Sequence, residues 1–179
     1  MIKFKTIQTK IKLNYFRLIG KISKINDVVE IKNKDNKRIK NILIIFPINE
    51  SSFRVALYSF RNLIKNNNVN YFFLVNHVYK HHFHLKGYVF DIFYNNKKDK
   101  VKFDETFYET TIINKKFDMI IDLNDKFFYD VCFLINNLNS YYKIGFKKSY
   151  SDYFYNIQFN VSKNDVLENG YKKIQLMLG

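Results

Sequence analysis

Apolar residues in this chain fall into short unbroken runs separated by stretches of helical periodicity. Residues 42–46, Ile-Leu-Ile-Ile-Phe, form a continuous run too short for a helix and stopped by Pro47. Phe53, Leu57, Phe60 and Ile64 then recur at spacings of four, three and four, one face of a helix that ends near Asn66-Asn67-Asn68. A first strand without polar alternation is covered on both faces, which predicts a parallel sheet flanked by helices. Further strands are expected at residues 69–75, 88–94, 117–124 and 142–146, with a weakly alternating, edge-like one at 153–161. Residues 95–102 read as a charged loop, and 104–116 as a helix with Asp104 and Glu105 in its first turn. Residues 125–138 read as a helix with Phe128, Val131, Cys132 and Ile135 inward. Ser162 is placed to cap a last helix reaching about residue 178. Strands alternating with helices at this interval predict a right-handed, doubly wound α/β domain with 42–46 and 119–123 as central strands. Ligands of such sheets bind at the carboxyl ends of the strands, which here marks the turn from Pro47 to Ser52.

The longest helical pattern precedes the sheet. Over residues 2–25, Phe4, Ile7, Ile11, Tyr15, Leu18, Ile22 and Ile25 follow spacings of three or four, flanked by Lys3, Lys5, Lys10, Lys12, Arg17, Lys21 and Lys24. Two readings follow. The stripe packs on the domain or on a partner, as most amphipathic helices do. Alternatively it lies on an anionic membrane, with Lys3, Lys10, Arg17 and Lys21 at the headgroups. Residues 27–40 hold a β-like patch at 28–31 and a polar turn, so the chain divides into a helix and linker (1–40) and a Rossmann-like domain (41–179).

Charge changes the picture. With 30 Lys+Arg against 16 Asp+Glu, the formal charge is +14, which favours an anionic partner: a phosphorylated glycan, an acidic lipid surface or nucleic acid. The same excess is also what AT-rich coding produces, since the basic residues are mostly Lys beside abundant Asn, Ile, Tyr and Phe. Cys132 is the single cysteine, read as a small core residue in a chain without an internal disulfide, consistent with a reducing compartment. No run approaches the ~20 apolar residues of a membrane span, and lysines interrupt any signal-peptide-like segment. The expected location is the cytoplasm or the inner face of a membrane. All 4 histidines lie in residues 77–84, but no carboxylate or thiolate is interleaved at a zinc spacing. They read as surface histidines on a helix, and no metal or cofactor is expected.

Several local sequences resemble glycosyltransferase family 9, the heptosyltransferases of lipopolysaccharide synthesis. They are the strand opening Lys40-Asn41-Ile42-Leu43-Ile44-Ile45 and the helix end Phe60-Arg61-Asn62-Leu63-Ile64-Lys65. In order, they continue with Phe117-Asp118-Met119-Ile120-Ile121-Asp122-Leu123-Asn124, Lys143-Ile144-Gly145-Phe146, and a terminal Leu176-Met177-Leu178-Gly179. The resemblance implies the acceptor-side half of a GT-B enzyme, without the donor-binding half that would hold a nucleotide-sugar. It places Ser51-Ser52 where the family carries Gly-Asp, whose Asp is the expected base on the acceptor hydroxyl. A serine hydroxyl does not serve as a general base unaided, and Glu50 is the nearby candidate substitute. Asn49, Ser51, Ser52 and Arg54 are the candidate acceptor- or anion-binding turn. Three functions remain in view. The chain is an acceptor-side domain, not catalytic alone, that binds an anionic glycan, a lipid or a partner chain. It is an active transferase completed by a separate donor-binding chain. Or it is a basic scaffold or nucleic-acid binder, for which no recognised motif speaks.

Overall fold

The computed structural model describes residues 2–25, 39–63, 68–109, 116–160 and 166–178, with side chains from residue 9 onward. Helix α1 (Ile2–Leu18) leads into strand β1 (Asn41–Ile45) and helix α2 (Glu50–Phe60). Strand β2 (Asn70–Asn76) continues into a 3-10 turn (His77–His82), then β3 (Tyr88–Asn95) and β4 (Lys100–Phe103). A single helical turn α3 (Glu105–Phe107) precedes β5 (Met119–Asp122), α4 (Tyr129–Asn137) and β6 (Tyr142–Phe146). A second 3-10 turn (Ser151–Tyr153), β7 (Ile157–Phe159) and α5 (Leu167–Leu176) complete the order.

Among the described residues the strands form one 7-stranded sheet in the order β4-β3-β2-β1-β5-β6-β7. All pairings are parallel except β3 with β4. Without β4, this is the strand order of a Rossmann-like doubly wound sheet, with β1 and β5 central and β7 at the edge. Successive residues of β1 serve opposite faces, as the pleat requires. Ile42, Ile44 and Phe46 pack with Phe53, Leu57 and Phe60 of α2 and Tyr171 and Ile174 of α5. Leu43 and Ile45 join Val131, Cys132 and Ile135 of α4, together with Leu13 and Ile22 from the N-terminal segment. Cys132 is a buried core residue, as its apolar surroundings in sequence suggest.

Two local readings change, and a third is described only in part. Residues 100–103 are not loop but an antiparallel strand, formed by the alternation Lys-Val-Lys-Phe after a turn in which Asp99 adopts φ 53°. The helix expected over 104–116 is helical as far as it is described, a turn capped by Asp104 that continues as π-helix through residues 108–109; residues 110–115 lie outside the described segments. Phe128, expected inward on α4, is the half-buried residue preceding it. The patch at 28–31, Ile64 and Ser162 also lie outside the described residues.

The N-terminal helix docks on the domain by the side opposite to the expected stripe. Leu13 is buried, and the Phe16 ring lies 5.2 Å from Phe133 and 6.3 Å from Tyr129 of α4. Ile11, Tyr15 and Leu18 remain exposed, while Ile22 beyond the helix is buried. Periodicity marks Ile11 and Leu18 as well as it marks Leu13 and Phe16; only the shape of the α4 surface chooses between them.

Candidate functional site

Strand order reverses between β1 and β5, so their carboxyl ends form the topological switch point. The turn 47–52 lies there and is stitched to both neighbours. Ile48 N–H donates to Asn124 Oδ1 at 2.9 Å, and Ile48 C=O accepts from Asn76 Nδ2 at 3.2 Å. Asn49 caps α2, its Oδ1 accepting from Ser51 N at 3.0 Å and from Ser51 Oγ at 2.8 Å. Glu50 lies on the exposed side of the first turn, paired with Arg54 at 2.6 Å. Ser52 is buried, and its Oγ donates to Asp125 Oδ1 over a long 3.4 Å. The carboxylate that reaches Ser52 is therefore that of Asp125, which no local pattern singles out. The candidate base Glu50 is engaged with Arg54 instead.

Behind the turn is a buried polar network. Asp122 and Lys148 meet at 2.8 Å with side chains 1% and 6% exposed. Lys148 Nζ also donates to the carbonyls of Asn124 (2.7 Å) and Lys126 (3.2 Å), so all three protons have acceptors. Asp122 Oδ2 accepts from Tyr155 Oη at 2.5 Å; Oδ1 accepts from Asn124 N at 3.0 Å and Asn124 Nδ2 at 2.7 Å. The Tyr155 ring packs against Gly145, where a Cβ would come within 2.7 Å of it. Burial, then the Asp122 charge, pushes the Tyr155 hydroxyl well above its ordinary range. Burial also pushes the Cys132 thiol up to about 12, so it is no ready nucleophile. A fully satisfied buried network fixes geometry: it ties β5, β6 and the 124–126 loop together. The sequence shows only two strands there; that Asp122 pairs with Gly145, making neighbours of the polar residues just past both strand ends, is decided by register.

A cavity of about 150 Å³ opens beside this edge, between α1, the β3–β4 turn and the loop into α4. Lys12, Lys98 and Lys100 line it together with Phe127, Phe128 and Tyr129. Its two carboxylates are already engaged. Asp130 Oδ2 accepts from Val101 N at 2.8 Å, and Asp99 Oδ1 accepts from Tyr94 Oη at 2.8 Å. Burial and that hydrogen bond raise the Tyr94 hydroxyl to about 12. The Lys12 ammonium lies 5.2 Å from the Tyr129 ring centre. Neither Lys98 nor Lys100 stood out in the sequence, because the stretch holding them read as an ordinary charged loop.

Comparison with family models, with curated proteins and with solved structures finds no match. The likeness to glycosyltransferase family 9 thus rests on the local sequences alone.

The remaining candidates are dispersed. Lys10, Arg17 and Lys21 are exposed on or just after α1, away from the 47–52 turn; Arg17 lies 5.3 Å from the Tyr153 ring centre and Lys21 5.8 Å from that of Phe16. Of Lys3, only the backbone is described. His77, His81, His82 and His84 are exposed, and the described residues hold no group of three His, Cys, Asp or Glu suited to a metal. No described helix is long and apolar enough to cross a membrane.

Proposed function

We propose that this chain is an acceptor-side, glycosyltransferase family 9-like domain that binds an anionic glycan or glycolipid and transfers no sugar alone. The observation that carries the reading is the cavity at the carboxyl edge, lined by the three cations Lys12, Lys98 and Lys100 against the two carboxylates Asp99 and Asp130, which already accept hydrogen bonds from Tyr94 and Val101. Phosphate groups suit such a cluster because ammonium ions are strong point donors that need no fixed fork geometry. Under this reading the domain works at the cytoplasmic face of a membrane, where phosphorylated glycolipids are built. Titration calorimetry with a phosphorylated inner-core oligosaccharide and its dephosphorylated form tests it. The phosphorylated form binds tighter, and Lys98→Ala with Lys100→Ala weakens it about tenfold or more. Equal affinity for both forms, or no effect of the substitutions, overturns the reading.

A second reading is favoured by one contact. Ser52 stands where the family carries its catalytic Asp, and the hydrogen bond to Asp125 brings a carboxylate to that position. A separate chain supplying the nucleotide-sugar site would then complete an active transferase. Metal-independent turnover of a nucleotide-heptose on adding such a chain, abolished by Asp125→Asn and retained by Glu50→Gln, would establish it. Turnover by this chain alone refutes the first reading.

A further inference from the structure

Helix α1 is apolar on two opposite sides, and the domain uses only one. At ~100° per residue, Leu13 and Phe16 share the side facing α4, whereas Ile11, Tyr15 and Leu18 fall within one ~60° arc on the other. Those three are 63%, 58% and 86% exposed, and Ile19, just past the helix, is 45% exposed. A docked helix ordinarily turns polar residues outward. Here the outward strip is apolar, and cations run along both of its borders. Lys10 flanks it on one side, with Arg17 further round the helix and Lys21 just beyond it, and Lys12 flanks the other; all are exposed, and Arg17 and Lys12 also lie 5.3 and 5.2 Å from the Tyr153 and Tyr129 ring centres. The described part of α1 carries no acidic residue.

We infer that the outer face of α1 is a docking surface for an anionic lipid bilayer, with Ile11, Tyr15 and Leu18 entering the acyl boundary and Lys10, Lys12 and Arg17 reaching the headgroups. Charge complementarity selects this occupant. A protein partner covering an apolar strip offers no general reason for cations on both seams, whereas an anionic membrane surface does so all round the inserted strip. Long basic side chains keep their charges in the headgroup layer while their stems cover apolar surface. Tyr15, with an apolar ring and a polar tip, is suited to the same interface. The inner side of the helix stays docked through Leu13 and Phe16, so attachment needs no unfolding. Lys12 lines the cavity described above, so docking would bring that cavity close to the headgroups. This sharpens the membrane placement that the proposed function assumes; its test uses vesicles without glycan, so the two fail separately.

The full chain is mixed with vesicles of phosphatidylcholine alone or with phosphatidylglycerol, and binding is read by flotation. Binding is expected only to the anionic vesicles and to weaken with salt. Ile11→Asp with Leu18→Asp lowers it about tenfold or more, and Arg17→Gln about fivefold. Exposed side chains are changed, so the far-UV spectrum and thermal midpoint should match those of the parent. The chain contains no tryptophan, so Leu18→Trp supplies a single reporter. Its emission should shift to the blue with anionic vesicles and be quenched by brominated lipid. Equal binding to neutral vesicles, undiminished binding by the Asp variants, or an unshifted emission from the Leu18→Trp reporter overturns the inference. So does a concentration-dependent dimer abolished by the Asp substitutions, which would assign the strip to a second copy of the chain.

Discussion

Lys148→Met should be among the most damaging single changes in this protein. The substitution keeps most of the side-chain volume and removes one ammonium that makes three hydrogen bonds, to Asp122 Oδ2 and to the carbonyls of Asn124 and Lys126. What remains is a carboxylate 1% exposed, still bound by Tyr155 and Asn124 but without its counter-charge. Breaking one side of a buried pair costs about 3–5 kcal/mol, against about 5–15 kcal/mol for the whole fold. With a urea m-value of about 2.5 kcal/mol/M, a loss of about 4 kcal/mol lowers the unfolding midpoint by about 1.6 M. Equilibrium urea unfolding followed by far-UV circular dichroism reads this directly. Adding Asp122→Asn to Lys148→Met should recover about 2 kcal/mol, because no unpaired charge is then left inside. The loss should also change little with added salt, since buried pairs are weakly screened. A loss under about 1 kcal/mol, or one that vanishes at high salt, would show that the pair behaves as a surface one and refute the reasoning.

Gly145→Ala brings a Cβ within 2.7 Å of the Tyr155 ring, which is itself held by Asp122; a loss of about 1–3 kcal/mol is expected in the same assay. Cys132 is pushed by burial from 9.0 to about 12, so native protein at pH 8 should react with iodoacetamide only through global unfolding, and denatured protein at once; fast native labelling would contradict the packing. The same shift fixes the sign of alkaline stability. The folded state holds the proton of Cys132 longer than the unfolded chain does, so this contribution is intact below about pH 9 and falls as pH rises toward 12. Each such group removes up to about 1.4 kcal/mol per pH unit, and urea midpoints flat from pH 8 to 11 would refute it.

Much of the fold was legible because burial on both faces leaves a local trace. Ile42 to Phe46 and Met119 to Ile121 carry no polar residue, and they are central strands of a parallel sheet. Gly145 and the polar residues after Asp122 were visible as letters, but their roles were not. Register places Asp122 beside Gly145, and only the return of the chain through Tyr155 and Lys148 turns those positions into a network. The Ser52–Asp125 contact spans 73 residues and the Val101–Asp130 bond 29, separations at which periodicity carries no information. Strand β4 was missed because four residues between charged neighbours cannot declare themselves; pairing with β3 creates the strand. The N-terminal helix shows the division most plainly. Its sequence determined that it is a helix, basic and rich in apolar residues. Which apolar side is buried was decided by the rings of Tyr129 and Phe133 on α4, because the hydrophobic effect rewards covered area without direction and only a complementary surface selects the face.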